Sequence, residues 1–234
     1  MGRQWLQKKR GINADKRAKI TSKLAREIVV AAKMGAPDPA FNPRLALAIE
    51  SARKQSVSND VITRAIKKGS GQTGETVDFE LVTFEGMSPQ NVPVIVECLT
   101  DNRNRTAPDM RSLFKDGRFG AKVMFFFDHL GHIEATHPDA ELDLETAALE
   151  AGADDVEPLE EPPAEGTGAR FYTAPTELDT VTKALREAGW DINESEMGYR
   201  PKEKSSISAE DREKHEAFLE RIDDHDDSHR IYSA

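Results

Sequence analysis

The residues best suited to chemistry are lysines and arginines near the start of the chain, whose side chains bind phosphate. Residues 1–70 hold 16 Lys and Arg against 5 Asp and Glu, although the whole chain has a net charge of −10. A basic block on an acidic chain indicates that one end meets a polyanion. The alternative is a solvated helical face, the commoner cause of a charge run. Because the imbalance extends over several predicted helices, we predict a nucleic-acid surface made by Lys8, Lys9, Arg10, Lys16, Arg17, Lys19, Lys23 and Arg26, supported by Lys67 and Lys68.

Two further arginines follow a predicted buried strand. The apolar run Val92–Val96 predicts that strand, and the polar residues Asp101–Asn104 end it. Arg103 and Arg105 therefore lie beyond the carboxyl end of a strand, where ligands often bind in α/β sheets, and arginine suits bidentate phosphate contact. In the alternative, the short polar side chains cap the next helix and the arginines pair with nearby acids. The sequence leaves both interpretations open.

Side chains for metal or covalent chemistry are present, but their spacing does not form a site. His129, His132 and His137 surround a predicted hairpin, and without a second cysteine we expect solvated turn histidines rather than zinc ligands. The run Asp223–Asp227 lacks the ligand spacing and the glycine of an EF-hand loop, so we expect a solvated helix end. Cys98 lies in the predicted strand as a small buried hydrophobe rather than a nucleophile.

The sequence as a whole is typical of a cytoplasmic protein that is not an enzyme. Phosphate-cradling glycine motifs are missing from it, and we predict no catalysis, no cofactor, no metal and no small-molecule substrate. The single cysteine excludes an intrachain disulfide and fits a reducing compartment. No apolar run approaches the roughly 20 residues that span a bilayer, and no signal-peptide core is present, so we predict no membrane partner. Organelle import is the minor alternative, because Asp15 is the first acidic residue. The oligomeric state is not indicated.

Three predicted helices position the basic residues. A basic arm at residues 1–14 precedes a helix over residues 15–34, whose first residue is its N-cap. The pair Asn42-Pro43 opens the second helix as cap and first helical residue, and the third helix spans residues 58–69. Short connections predict a small bundle, and a flexible glycine-rich linker ends this domain at residue 74, giving a domain of residues 1–74.

The remaining residues predict two α/β domains. Residues 75–130 supply strands near Val77–Phe84 and Val123–Phe127, on either side of the strand–turn–helix unit that starts at Val92. Residues 131–205 alternate in the order β-α-β-β-α-β, which is ferredoxin-like.

The end of the chain predicts a helix capped by Ser208 and a strand at His229–Tyr232. These elements have no place in a completed βαββαβ unit, so we expect residues 206–234 to return to the domain of residues 75–130. The ferredoxin-like domain is then an insertion. The predicted fold class is α+β, with an N-terminal three-helix bundle followed by two α/β-sandwich domains.

Several runs of residues resemble the YebC family. The decapeptide ECLTDNRNRT, Glu97–Thr106, is the most distinctive of them, and the resemblance covers nearly the whole chain. The other runs are Lys23–Ile28, Ala31–Lys33, Asp38-Pro39, Asn42–Leu45, Ala65–Gly69 and Ala147–Ala153.

The resemblance implies three domains and no enzyme activity or cofactor. It implies a cytoplasmic DNA-binding transcriptional regulator, although mitochondrial and some bacterial members are linked to translation on the ribosome, including passage through proline-rich stretches. Two departures affect the binding arm and one loop. The chain opens with Gly2-Arg3-Gln4-Trp5 where the family usually has Gly-His-Ser-Lys-Trp, as in a variant subgroup that starts Gly-Arg, and its glycine-rich run is shortened to Asp116–Lys122.

Three functional hypotheses follow. The first is a non-enzymatic nucleic-acid-binding regulator of gene expression that contacts phosphates through its basic helices. The second is a ribosome-associated translation factor whose basic bundle docks on ribosomal RNA and which helps the synthesis of proline-rich stretches. The third is a protein-interaction scaffold that uses the acidic ferredoxin-like domain. The sequence shows no clear recognition helix carrying base-reading side chains, which leaves room for RNA as well as DNA.

Overall fold

The computed structural model describes residues 4–74, 79–159 and 163–234, with side chains from residue 17 onward. The chain forms two compact units, one made of Met1–Phe126 with Glu203–Ala234 and the other of Phe127–Lys202. Short 3-10 turns lie at Pro39–Phe41 and Met124–Phe126. The other elements are α1 (Gln4–Met34), α2 (Pro43–Lys54), α3 (Asn59–Gly69), β1 (Glu80–Met87), β2 (Pro93–Thr100), α4 (Arg103–Leu113), β3 (Arg118–Phe119), β4 (Phe127–His137), α5 (Leu144–Ala151), β5 (Asp155–Pro158), β6 (Thr167–Thr173), α6 (Leu178–Glu187), β7 (Asp191–Pro201), α7 (Ala209–Asp223) and β8 (Ser228–Ser233).

Helix α1 is longer than the sequence predicts. It begins at Gln4 instead of Asp15, so the predicted basic arm is helical and Asp15 lies inside the helix rather than at its N-cap. Gly11 lies within the helix and does not end it. A single glycine costs a helix only about 1 kcal/mol relative to alanine, and no proline is present to break this one.

The predicted cap of the second helix is confirmed. The Asn42 side-chain oxygen accepts a hydrogen bond from Leu45 N at 3.0 Å, and Pro43 occupies the first turn. The amide nitrogen of Asn42 also donates to the carbonyls of Ala31 and Ala36, both at 2.8 Å. One buried side chain therefore starts α2 and fixes it to the end of α1.

The sheet of the first unit has the strand order β3-β1-β2-β8, with every neighbouring pair antiparallel. Strand β2 is buried along its whole length. Val94, Val96 and Cys98 belong to a core cluster that includes Met110 of α4 and Phe218 of α7, so both helices cover the sheet. Strand β8 pairs with β2, which confirms that the end of the chain returns to this sheet.

The second unit confirms the βαββαβ order. Its four antiparallel strands follow the spatial order β5-β6-β4-β7, the arrangement of a ferredoxin-like sheet, with α5 and α6 as its two helices. Its place within the chain shows that it is inserted in the first unit. The three-domain boundaries at residues 74, 130 and 205 stay a prediction.

Two predictions near the start of β4 were wrong. Residues Met124–Phe126 form an exposed 3-10 turn instead of an apolar strand, and β4 starts at Phe127. The carboxylate of Glu85 accepts hydrogen bonds from Val123 N and Met124 N, at 2.8 and 3.0 Å, and so caps this turn. His129, His132 and His137 are strand residues of β4 rather than turn residues, and of the three only His129 is exposed. The apolar residues of this segment predict a strand. They give no sign of the capping carboxylate, because Glu85 belongs to β1, which is distant in sequence.

Candidate nucleic-acid interface

The predicted phosphate ligands fall into groups that the structure treats differently. The side chains of Lys8, Lys9, Arg10 and Lys16 lie outside the described residues. Arg17 is exposed on α1, whereas three cations further along that helix are paired with acids near the end of the chain. These three are Lys19, Lys23 and Arg26.

Lys19 and Lys23 cap the end of α7. Lys23 Nζ lies 2.7 Å from Asp223 Oδ1 and donates to the backbone carbonyl of Asp223, while Lys19 Nζ lies 3.3 Å from Asp224 Oδ1 and donates to the carbonyl of Asp224. The last carbonyls of a helix have no partner within it and carry partial negative charge. Two lysines from α1 therefore offset the unfavourable placement of aspartates at a helix C-terminus.

Arg26 is fixed more firmly than the two lysines. Its Nη1 donates to the carbonyl oxygens of Leu99 and Asp226, at 3.0 and 2.6 Å, and lies 3.1 Å from Asp227 Oδ1. Asp227 is only 2% exposed. A buried ion pair is stable only when further hydrogen bonds satisfy its remaining polar groups, and this one has them. Arg26 thereby connects α1 to the end of β2 and to the loop before β8.

The distinctive run Glu97–Thr106 is organised around the same carboxylate. Asp227 Oδ2 accepts hydrogen bonds from Thr106 Oγ1 at 2.7 Å, from Thr100 Oγ1 at 3.3 Å and from Arg105 Nη2 at 3.0 Å. Arg105 also pairs with Asp101, at 3.0 Å. The run thus ends β2, starts α4 and holds the α7–β8 loop in a single polar network.

The pKa of the Asp227 carboxyl is lowered in this network. Burial alone would raise that pKa, but the hydrogen bonds from Thr106 and Arg105 and the charges of Arg26 and Arg105 outweigh it. At Cys98, burial together with the nearby negative charge of Asp227 raises the pKa of the thiol to about 12. The thiol therefore stays protonated, and a protonated buried thiol is a poor nucleophile.

The prediction of a solvated helix end at Asp223–Asp227 was wrong for its last residue. Asp223 and Asp224 are exposed, as expected, but Asp227 is buried and paired with two arginines. Asn102 caps α4 by accepting a hydrogen bond from Arg105 N at 3.2 Å, so Arg105 matches the alternative interpretation of capping and internal pairing. Arg103 is exposed.

The cations of α3 have a different environment. Lys67 is exposed and Lys68 is partly buried, and no carboxylate among the described residues forms an ion pair with either. The same holds for Arg64, which the sequence prediction missed. The sequence signal for Arg64 was its position four residues before Lys68, because residues i and i+4 of a helix lie on the same face. Helix α3 therefore presents positive charge that the described part of the chain does not neutralise.

Within residues 4–74, 79–159 and 163–234, no group of three or more His, Cys, Asp or Glu side chains is arranged to hold a metal ion. Across the same ranges, no helix combines the length and the apolar character that crossing a membrane requires.

Comparison with known proteins identifies the family. Residues 2–72 match the model of the TACO1/YebC protein N-terminal domain, and residues 79–234 match that of the TACO1/YebC second and third domain. A protein of Polaromonas is 49% identical over 237 residues, covering 99% of this chain and 98% of the relative. A protein of Pseudomonas syringae pv. tomato is 47% identical over 238 residues, with coverage of 99% and 98%. Both relatives are named probable transcriptional regulatory protein.

A solved structure agrees with these sequence matches. The crystal structure of a conserved hypothetical protein from Aquifex aeolicus superposes with a TM-score of 0.79 at 37% sequence identity, covering 93% of this chain and 89% of that one. The two family models together account for almost every residue of the chain. The chain therefore belongs to the TACO1/YebC family.

Proposed function

We propose that this protein is a non-enzymatic regulator of gene expression that binds nucleic acid through its N-terminal helices. The relatives' name, probable transcriptional regulatory protein, supports the regulatory role. The observation that carries nucleic-acid binding is the positive charge on α3, where Arg64, Lys67 and Lys68 form no ion pair with the described carboxylates. Phosphate contacts from such side chains supply affinity and register.

The cations of α1 have graded roles in this proposal. Arg17 is exposed and available, as Arg103 is on α4. Lys19 and Lys23 exchange their aspartates for phosphate, because ion pairs that are exposed to solvent contribute only about 0–1 kcal/mol. Arg26 does not exchange, since its partner Asp227 is buried. The side chains of Lys8, Lys9, Arg10 and Lys16 extend the surface as the sequence predicts.

A second candidate is a translation factor that binds ribosomal RNA. The described part of α3 exposes Arg64 and Lys67, together with Asn59, Asp60 and Thr63. A recognition helix carries a row of Asn, Gln and Arg side chains that read base edges. The exposed residues of the described part of α3 do not form such a row. Phosphate contacts of this kind bind DNA and RNA alike. A cytoplasmic location, which either role would suit, stays a prediction.

A salt titration of binding separates the candidates. Purified full-length protein, freed of bound nucleic acid, is titrated with duplex DNA, with structured RNA and with whole ribosomes. Sequence-selective DNA binding that persists near physiological salt supports transcriptional regulation. Tight ribosome binding, together with DNA binding that falls steeply with salt, supports the translational role, because non-specific binding is almost entirely electrostatic. If the protein binds none of the three ligands at low salt, the proposal is contradicted and the protein-interaction scaffold is favoured.

A further inference from the structure

A groove with a volume of about 310 Å³ lies between α1 and α3. Arg26, Arg64 and Lys68 contribute its positive charge, while Phe79 and small aliphatic residues of both helices contribute an apolar wall. Sites for small molecules have volumes of about 300–1,000 Å³ and combine an apolar lining with a few polar groups. The groove is at the lower end of that range.

A close contact between the two helices lies beside the groove. A Cβ atom on Gly69 would come within 2.3 Å of the Val29 carbonyl oxygen and within 2.9 Å of the Ala32 Cβ, so only glycine allows this approach. Val29, whose carbonyl makes this contact, and Lys68, which precedes Gly69, both line the groove. The packing of α3 on α1 therefore fixes the position of Lys68 relative to the wall on α1.

The charge of the groove is not neutralised by its described lining, which includes no Asp or Glu. Arg64 and Lys68 are one helical turn apart and lie on the same face of α3. Arg26 is already paired with Asp227, and its guanidinium lies 5.2 Å from the centre of the Phe79 ring. Arg26 therefore contributes a fixed flat surface, whereas Arg64 and Lys68 supply positive charge that pairs with no described carboxylate.

We infer that this groove binds one nucleotide of a single-stranded nucleic acid, an inference that rests on the proposed function. Arg64 and Lys68 hold the phosphate, and the nucleoside lies against the apolar wall beside Phe79 and the Arg26 guanidinium. Single strands are recognised by aromatic rings and arginine planes that contact unstacked bases, next to cations that follow the backbone. A duplex stacks its bases inside and has none to place in the groove.

A purely structural role explains only part of this arrangement. Lysine in the last turn of a helix is favourable to the helix dipole, which accounts for Lys67 and Lys68. It does not account for Arg64, which lies a turn earlier, nor for an open groove between the cations and an aromatic wall. A test must therefore separate charge at a helix end from charge in the groove.

The test uses fluorescence anisotropy with a fluorescein-labelled ten-nucleotide oligouridylate and with a fully paired RNA duplex of the same length. R64Q/K68Q removes both groove charges. R53Q/K54Q is the matched control, because it removes the same charge from the last turn of α2. S22L fills the groove without changing charge, since Ser22 lines it. Thermal unfolding of each variant establishes that it folds.

R64Q/K68Q is expected to weaken binding of the single strand about tenfold or more, as loss of charged hydrogen bonds does. It should also reduce the slope of log affinity against log salt by about 0.7, since the groove holds one phosphate and each phosphate contact to a single strand contributes about 0.7. S22L should weaken binding of the single strand and leave the affinity for the duplex unchanged. R53Q/K54Q should keep most of the affinity for the single strand.

Two results would overturn the inference that the groove binds a nucleotide, while leaving the proposed function intact. One is S22L binding the single strand as tightly as the unmodified protein does. The other is equal loss in the two double variants, which would show generic attraction to a basic surface. If the unmodified protein binds neither RNA probe at low salt, the groove inference is overturned, whereas the proposed function is contradicted only if duplex DNA and whole ribosomes also fail to bind.

Discussion

The cations of α1 and those of α3 are the same residue types in the same bundle, yet the structure uses them differently. Lys19, Lys23 and Arg26 face the end of α7 and the loop after it, where aspartates meet them. Arg64 and Lys68 face a groove with no described acid in its lining. A run of basic residues therefore indicates excess charge, but the acids brought near it by folding decide which cations remain for a ligand.

The largest expected effect is on the α1 side, in the variant D227N. Replacing the carboxylate leaves Arg26 and Arg105 without their shared buried partner, and breaking a buried ion pair typically costs about 3–5 kcal/mol. We expect a loss of that size in the free energy of unfolding, measured by urea denaturation. D223N is the control, because Asp223 is exposed and should change stability by less than about 1 kcal/mol. Equal losses in both variants would contradict the central place of Asp227 in this polar network.

The same carboxylate predicts a pH dependence. Its pKa is lowered in the folded protein, so the unfolded chain binds the proton more readily. The stability that Asp227 contributes is complete above the unfolded pKa, about 3.9, and is lost as pH falls through the folded pKa. Denaturation curves between pH 7 and pH 3 should show stability falling with acid, and the fall should be shallower in D227N. Parallel pH profiles would show that other groups cause the fall.

On the α3 side, G69A should loosen the contact with α1. The added methyl group would meet the Val29 carbonyl and the Ala32 side chain, and overpacking of this kind costs about 1–3 kcal/mol. Unfolding by urea measures the loss. G120A is the control for adding a methyl group at a glycine, since nothing lies within 4 Å of its position, although its positive φ adds about 1 kcal/mol of strain. A G69A protein as stable as the unmodified protein would contradict the close packing.

The α1 and α3 cations should contribute differently to nucleic-acid affinity. R64Q/K68Q and K19Q/K23Q remove the same charge from neighbouring helices, and we expect the first to weaken binding about tenfold more than the second. The reason is that phosphate must displace Asp223 and Asp224 before it reaches the lysines of α1. Anisotropy at a fixed salt concentration measures both. A larger loss in K19Q/K23Q would reverse the comparison.

The smallest expected effect is a gain. D223N/D224N removes the exposed aspartates that compete with phosphate for Lys19 and Lys23, so nucleic-acid affinity should rise about two- to fivefold, in line with the small energies of exposed ion pairs. E210Q/D211Q is the control, because it removes two acids from the other end of α7. An equal gain in the control would indicate a change of net charge alone.

Most of the fold follows from local sequence signals. Asn42-Pro43 and Ser208 mark helix starts because their side chains satisfy N–H groups a few residues away. The βαββαβ order of the second unit follows from the alternation of strand and helix patterns, and the family resemblance follows from runs such as Glu97–Thr106. These signals are contained in short stretches of chain, so the sequence by itself determines them.

The partners of the charged residues were decided only by the tertiary structure. Lys23 and Asp223 are 200 positions apart, and Arg105 and Asp227 are 122 apart, so no local pattern connects them. The 3-10 turn at Met124–Phe126 depends in the same way on the carboxylate of Glu85, 38 residues earlier. Charge and hydropathy are properties of single residues, whereas pairing is a property of pairs that folding brings together. The sequence determined how much positive charge the bundle carries, and the ion pairs that folding makes between α1 and the aspartates at the end of α7 decided which of the described cations are neutralised.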